Sequence, residues 1–377
     1  MKINDAKRIV FKFGTNVLRN DEGEISLSRI YAFIEEISKL HKQGKEIIII
    51  TSGAVGLGAK RLNADSKESL SVKQACAAVG QCQLMSIYED GFNKYSINTA
   101  QILLTEDDFS NRIKYLSLNN ALNTLLELRV IPVINQNDTV STAELSEAGN
   151  PLYGVSFSDN DKLSALVASK LDADLLVILS DINGLYDDNP KENPNAKLLS
   201  DIKEITPEIE SYAHSASKGG RGGMRTKLEA AKVVTHSGGY VKIANGKEPQ
   251  IIRRLFEGEN LGTTFYPAEQ LSQKRRWIAY ATNITGQISV NNGAKKAITE
   301  ENKSLLAIGI TKVNGIFTRG DVISILDEGN QEFARGIANY DSRDCKKIIG
   351  EHSDNIYDIL GHKNYDAVVT KDNIAIL

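Results

Sequence analysis

Cysteine is scarce in this chain, with 3 in 377 residues: Cys76, Cys82 and Cys345. An odd number argues against a disulfide framework, and the spacing fits no metal-ligand pattern. Cys76 and Cys82 fall in an Ala-rich stretch that reads as helix, where they serve best as small buried hydrophobes. Long apolar runs are absent. The longest, 47–50 and 175–179, fall far short of the roughly 20 residues that a membrane-spanning helix needs. The N-terminus enters a strand-like run at 9–13 with no signal-peptide pattern. A soluble, cytoplasmic protein without a membrane partner is the expectation. An excess of basic charge is also missing. Lys plus Arg total 45 against 48 Asp plus Glu, a net charge of −3, which removes the electrostatic case for nucleic acid as the main partner. Lys274, Arg275 and Arg276 form only a short basic run. There are 5 histidines (His41, His214, His236, His352 and His362), and only His214 borders a polar cluster, so catalysis by a histidine base is not expected. Neither GxGxxG nor GxxxxGK[ST] occurs, so a nucleotide enzyme built on this chain is not of the P-loop type.

What is present is a regular alternation. Residues 9–13, 47–50, 102–105, 130–134, 175–179 and 240–244 read as short buried strands. Between them, 28–43, 70–92, 161–171 and 224–236 read as helices; the first carries Ile30, Phe33, Ile37 and Leu40 at helical spacing, with Gly44 at its C-terminal cap. Strands alternating with helices imply an α/β fold, an αβα sandwich with a mainly parallel central sheet. Pro132 should mark the start of its strand or an edge, because it cannot donate to the ladder. The texture changes near 267–276. Short strand-like segments follow at 288–290, 305–310, 315–317, 322–326 and 332–337, separated by turn signals such as Asn292-Gly293 and Asn314-Gly315. These suggest a small C-terminal β-barrel or sandwich. The expected divisions are 1–266, 275–355 and a C-terminal extension at 356–377.

In open parallel sheets, ligands bind beyond the C-terminal ends of the strands. Several chemistry-bearing segments fall at such places. Lys12-Phe13-Gly14-Thr15-Asn16 could carry a cation to a phosphate, or could be a strand lysine at a turn. Thr51-Ser52-Gly53-Ala54-Val55-Gly56 frees backbone N–H groups at a helix start, a ready anion site or simply a tight turn. Asn135-Gln136-Asn137-Asp138 and Ser158-Asp159-Asn160-Asp161 together suggest a polar pocket for an amino group, although one of the latter also caps a helix. Ser180-Asp181-Ile182-Asn183-Gly184 follows another strand. The run 217–227 sets four glycines beside basic residues at a helix start, either a phosphate-binding loop or a flexible linker.

Taken in order, these segments resemble the amino-acid kinase family. The signals are Lys-x-Gly after the first strand, TSGAVGLG, VGQCQLMSIYEDGF, PVINQNDTVSTAE, SDNDKLSALVA, LSDINGLY and GGMRTKLEAA. Residues 275–355, including GDVISIL, resemble a PUA domain, a tail that sets one branch of the family apart from its acetylglutamate, aspartate and UMP kinases. The resemblance implies ATP- and Mg²⁺-dependent phosphorylation of the side-chain carboxylate of L-glutamate, opening proline biosynthesis, with glutamyl phosphate reductase as the next enzyme and a homo-oligomeric assembly. By motif, Lys12 and Lys227 match the two lysines that neutralise the transferring phosphoryl group, and Asp161 the aspartate that organises them. Ser52, Gly53, Asp138 and Asn160 match substrate-holding positions, and Asp159 neighbours the substrate amine. Ser180, Asp181 and the run Arg221, Gly222, Gly223, Met224, Arg225, Thr226 and Lys227, with Lys12, match ATP-binding positions; no residue is implied as a metal ligand. Ser158 departs from the family pattern, which carries Gly there. Two alternatives stand beside this reading: a family member acting on another carboxylate, and an RNA-binding protein acting through the PUA-like domain.

Overall fold

The computed structural model describes residues 3–105, 107–110, 112–140, 160–190, 192–215, 223–268, 278–279 and 284–377. The chain divides into two compact units, Met1–Gln270 and Leu271–Leu377. The first is organised by a sheet of eight strands: β1 (Arg8–Phe13), β2 (Glu46–Ile50), β3 (Thr99–Leu104), β4 (Ile131–Gln136), β5 (Leu175–Ser180), β6 (Asp201–Ile202), β7 (Tyr240–Asn245) and β8 (Thr263–Phe265). Their order is β3-β4-β2-β1-β5-β7-β8-β6. Every neighbouring pair is parallel except β7 with β8.

The central strands are apolar on both faces because both faces are covered. Phe11, Phe13, Val177 and Leu179 pack on one side with Phe33, Ile37, Leu84 and Leu255. These come from the helices Leu27–Lys42, Leu70–Asn93 and Ile251–Phe256. On the other side, the helix Asn160–Lys170 packs on β1 and β5 and against the helix Met224–Thr235. Its inward residues Leu163, Leu166 and Val167 are buried. The αβα architecture expected from the alternation is the one observed. Pro132 is the second residue of β4, which is an internal strand. Pairing of β4 with β2 begins only at Val133, opposite Ile49, so the missing N–H falls where no ladder bond is needed.

The helices Ala54–Leu62 and Leu70–Asn93 meet backbone to backbone. A Cβ on Gly80 would lie 1.8 Å from the Ala54 carbonyl oxygen, and one on Gly58 would lie 1.7 Å from that of Cys76. Only glycine allows this approach, and it carries the middle of the long helix to the ends of the strands.

The second unit holds β9 (Gly286–Val290), β10 (Ile310–Gly315), β11 (Val322–Leu326), β12 (Glu332–Ile337) and β13 (Ile374–Ile376), ordered β10-β9-β11-β12-β13. An antiparallel bridge between Leu305 and Val369 joins the segments leading into the two end strands. It draws the sheet around a core of Ile288, Val290, Ile323, Ile325 and Tyr340. Further local expectations change. Asn314-Gly315 is not a turn between strands but the end of β10, and 316–317 lie beyond that strand instead of forming one with Gly315. Asn292-Gly293 is not a turn but opens a helix, Asn292–Thr299, because the Asn291 side chain accepts from the Ala294 N–H at 2.8 Å and caps it. Within 305–310, Ala307–Gly309 forms a 3₁₀ turn before β10 begins. Residues 356–377, set apart from the sequence as an extension, supply β13 together with Ile356, Val368 and Val369 of this core.

Candidate active site

The chain places β2 on one side of β1 and β5 on the other, so a crevice opens beyond their C-terminal ends, where ligands of such sheets bind. Lys12 stands at the end of β1, and its Nζ lies 2.6 Å from Asp161 Oδ1. Asp161 is in the first turn of the helix Asn160–Lys170. Its other oxygen, Oδ2, lies 3.0 Å from Lys227 Nζ and accepts from Thr226 Oγ1 at 2.9 Å. Lys227 and Thr226 open the helix Met224–Thr235. The three charged groups are 3%, 0% and 4% exposed (Lys12, Asp161, Lys227), so one buried carboxylate holds two buried ammonium groups. Burial alone would raise the Asp161 carboxyl, but Lys12 and Lys227 outweigh it and hold it well below the ordinary carboxylate range.

At the end of β5, Ser180 Oγ donates to Asp181 Oδ1 at 3.2 Å, and Asn16 Nδ2 donates to Asp181 Oδ2 at 2.9 Å. Burial would raise the Asp181 carboxyl. The Asn16 hydrogen bond and nearby Lys227 help to bring it below its usual value. At the end of β2, Ser52 Oγ donates to the Phe13 carbonyl at 2.9 Å and accepts from Thr15 Oγ1 at 3.2 Å. Gly53 follows at φ +102°, just before the helix Ala54–Leu62. Asn160 Nδ2 donates both to the Thr51 carbonyl at 2.7 Å and to Asn135 Oδ1 at 3.2 Å. Asn135 Nδ2 in turn donates to Gln81 Oε1 at 3.0 Å. Asp138 is half-buried in the turn just past β4.

The structure therefore brings Lys12, Asp161, Thr226 and Lys227 into one cluster, with Ser52 and Asp181 at adjoining strand ends and Asn160 at the start of the helix Asn160–Lys170. Gly223 offers its carbonyl to Thr226 Oγ1 at 2.9 Å, and Met224 starts the helix. Arg225 instead pairs with Glu229 at 3.0 Å on an exposed helix face. Ser158, Asp159, Arg221 and Gly222 lie outside the described residues. Thr15, Asn16 and Gln81 were not named as site residues from the sequence, and Asn135 entered only as part of the run read as a polar pocket. Asn135 lay in a visible Asn/Asp run, whereas Gln81 lay in the VGQCQLMSIYEDGF segment that carries the family resemblance but was given no role of its own. Among the described residues, no group of three or more His, Cys, Asp or Glu side chains could hold a metal ion, and no helix is long and apolar enough to cross a membrane.

Comparison with known proteins agrees with this architecture. The amino acid kinase family matches residues 7–245, and the PUA domain matches residues 286–360. The glutamate 5-kinase of Methanococcoides burtonii is 44% identical over 99% of this chain and 98% of its own. That of Caldanaerobacter subterraneus subsp. tengcongensis is 42% identical over 98% of each. Among solved structures, carbamate kinase from Giardia lamblia bound to AMP-PNP aligns with a TM-score of 0.51 at 16% identity, over 71% of this chain and 100% of that one, a likeness of fold.

Proposed function

Since this chain belongs to the amino acid kinase family, and matches glutamate 5-kinases along almost its whole length, we propose that it transfers the γ-phosphoryl group of ATP to the side-chain carboxylate of L-glutamate. The product is L-glutamyl 5-phosphate, and the step opens proline biosynthesis. The observation that carries the reading is the Lys12–Asp161–Lys227 cluster at the strand ends. Two ammonium groups thus converge on one carboxylate where a phosphoryl group would pass.

The chemistry asks for no more than this. A glutamate side chain has a pKa of about 4.3, so near neutral pH the nucleophile is already an anion and no general base is needed. The work is to hold two anions in line and to stabilise charge on the transferring group. Asp161 keeps both ammonium groups aimed at one place, and Thr226 ties that carboxylate to the start of the helix Met224–Thr235. A Cβ on Gly14 would stand 3.3 Å from the Leu179 carbonyl oxygen and 3.9 Å from Lys12 Nζ, so glycine keeps the backbone beside that lysine uncovered. Ser180 and Asp181 border the same crevice and suit the nucleotide. With no protein cage for it among the described residues, Mg²⁺ would enter on the ATP phosphates with at most one carboxylate, Asp181 being the candidate. When bound, it supplies charge neutralisation of those phosphates. An acyl phosphate is labile to water, so an enzyme that consumes it promptly is required, and in the pathway proposed that enzyme is a reductase.

The test is a hydroxamate assay with ATP and Mg²⁺ against glutamate, aspartate, N-acetylglutamate and UMP, with ADP release followed in parallel. Glutamate should give the hydroxamate together with stoichiometric ADP. Turnover of another acceptor with none of glutamate would overturn the reading.

A further inference from the structure

The amide groups beneath the substrate side of the crevice have a polarity that the backbone dictates. The Thr51 carbonyl can only accept, so the end of Asn160 that lies 2.7 Å from it is the NH₂ group. The Gln136 N–H can only donate, so the end of Asn135 that lies 2.9 Å from it is the oxygen. That same oxygen takes the second N–H of Asn160 at 3.2 Å. The Asn135 NH₂ group therefore points away, into the protein, where it meets Gln81 at 3.0 Å and requires an oxygen there. Both N–H groups of Asn160 are consumed by this arrangement, and its own carbonyl oxygen accepts from none of the described residues. Asn160 thus faces the crevice as an acceptor, which suits an ammonium and would repel a carboxylate.

Gln81 is the far anchor of this chain. It is 7% exposed, in the middle of the helix Leu70–Asn93, at a position where helix packing alone would favour an apolar side chain. Its Nε2 has no hydrogen-bond partner among the described residues, so what the residue contributes to this network comes from its oxygen. The Gly58–Gly80 contact brings it within reach of β4. We propose that Gln81 is a positioning residue for the transfer reaction: by holding the Asn135 amide, it fixes Asn160 as an acceptor for the α-ammonium of the amino-acid substrate. This rests on the reading of the crevice as a glutamate site. Without the Gln81 oxygen, the buried Asn135 NH₂ group would be left unsatisfied. It would turn toward another acceptor and take Oδ1 away from Asn160.

Steady-state kinetics of the full-length enzyme with Gln81→Met, which keeps the length of the side chain and removes the oxygen, test this directly. The KM for glutamate should rise roughly tenfold, the scale of one buried hydrogen bond. The KM for ATP should stay within about twofold, since the nucleotide side is untouched. The preference for glutamate over glutarate, which lacks only the ammonium, should fall by a similar factor. In an Asn135→Ala background the same change should add less than about twofold, because Gln81 acts through Asn135. Gln81→Glu keeps an acceptor toward Asn135 and should recover most of the glutamate KM, and it carries the test if Gln81→Met does not fold. An equal loss in both backgrounds, an unchanged preference over glutarate, or a tenfold loss in Gln81→Glu would overturn the proposal. A wild-type enzyme that does not phosphorylate glutamate at all would instead overturn the functional reading on which it rests.

Discussion

Three lysines of the first unit are equally buried and differently placed. Lys12 and Lys227 are 3% and 4% exposed and converge on the Asp161 carboxylate. Lys242, 2% exposed in β7, ends on the Thr264 hydroxyl at 2.7 Å and makes no ion pair among the described residues. Burying a charge is unfavourable unless a partner and hydrogen bonds offset the lost hydration. The first two lysines meet that condition, Lys12 near the end of β1 and Lys227 in the first turn of the helix Met224–Thr235. The third meets it only in part, in the middle of a strand: burial pushes its pKa down to about 8, with Asp201 opposing weakly. Depth alone therefore does not set the three lysines apart; the shared carboxylate does.

Removing the shared carboxylate should produce the largest effect. Asp161→Asn keeps the shape but leaves two buried ammonium groups facing a neutral amide. We expect kcat to fall by about 10³-fold or more and stability by roughly 3–5 kcal/mol, the scale of a broken buried ion pair. The pH dependence follows from the depressed Asp161 pKa. Its stabilisation is fully present above the unfolded-state value of about 3.9 and is lost as pH falls through the folded value. The wild type should thus lose stability below about pH 4 more steeply than the variant, as read by thermal melts from pH 2 to 7. A variant with wild-type kcat would show that the cluster is structural.

Lys227→Ala is expected to lower kcat by about 10²-fold, on the scale of losing one preorganised electrostatic stabiliser, with little change in the KM for glutamate. A rise confined to the KM for ATP would mean that Lys227 binds the ground state of the nucleotide and does little more.

Much of this was legible in the sequence because its signals were local. The apolar runs at β1, β2 and β5 announced strands buried on both faces, and Asp and Asn clusters after strands announced the polar crevice. What was not legible depended on partners distant in the chain. Nothing near Gln81 indicates that a Gly58–Gly80 contact carries it to Asn135, 54 positions away. Lys242 sits in a run, Tyr-Val-Lys-Ile-Ala, that would let an edge lysine reach solvent, yet β8 and β6 lie outside it in the sheet. Asn292-Gly293 has the composition of a turn, and only the preceding Asn291 cap makes it a helix start. The PUA-like tail was recognisable by motif, but its last strand, β13, pairs through just three residues.

On the proposed reading Asn160 and Asp138 hold the amino-acid substrate and not the transferring phosphoryl group, so their variants should act through affinity. Asn160→Ala and Asp138→Ala should each raise the KM for glutamate by about tenfold while kcat changes less than threefold, an effect near that of one or two hydrogen bonds. If either raised only the KM for ATP, the substrate and nucleotide sides of the crevice would have to be exchanged.

The smallest effect should have the opposite sign, and it isolates what the partner carboxylate does for the other two lysines. Lys242→Met keeps the length and apolar stem of the side chain and removes a buried ammonium held only by Thr264. The folded pKa of about 8 lies below the unfolded value of about 10.4. Between those values the unfolded chain binds more protons than the folded one, so the wild type gains stability as pH rises from about 8 to 10. Below pH 8 it carries the full destabilisation. The variant, having no proton to lose there, should be more stable than the wild type by roughly 1–2 kcal/mol at pH 7, after allowing for the lost Thr264 hydrogen bond. That advantage should shrink toward zero near pH 10.5. Turnover should be unchanged, because Lys242 lies mid-strand and away from the crevice. Urea melts of both proteins at pH 7 and pH 10 would measure it. A variant less stable than the wild type at pH 7 would mean that Lys242 is better compensated than its surroundings indicate, and that the contrast among the three lysines is one of position alone.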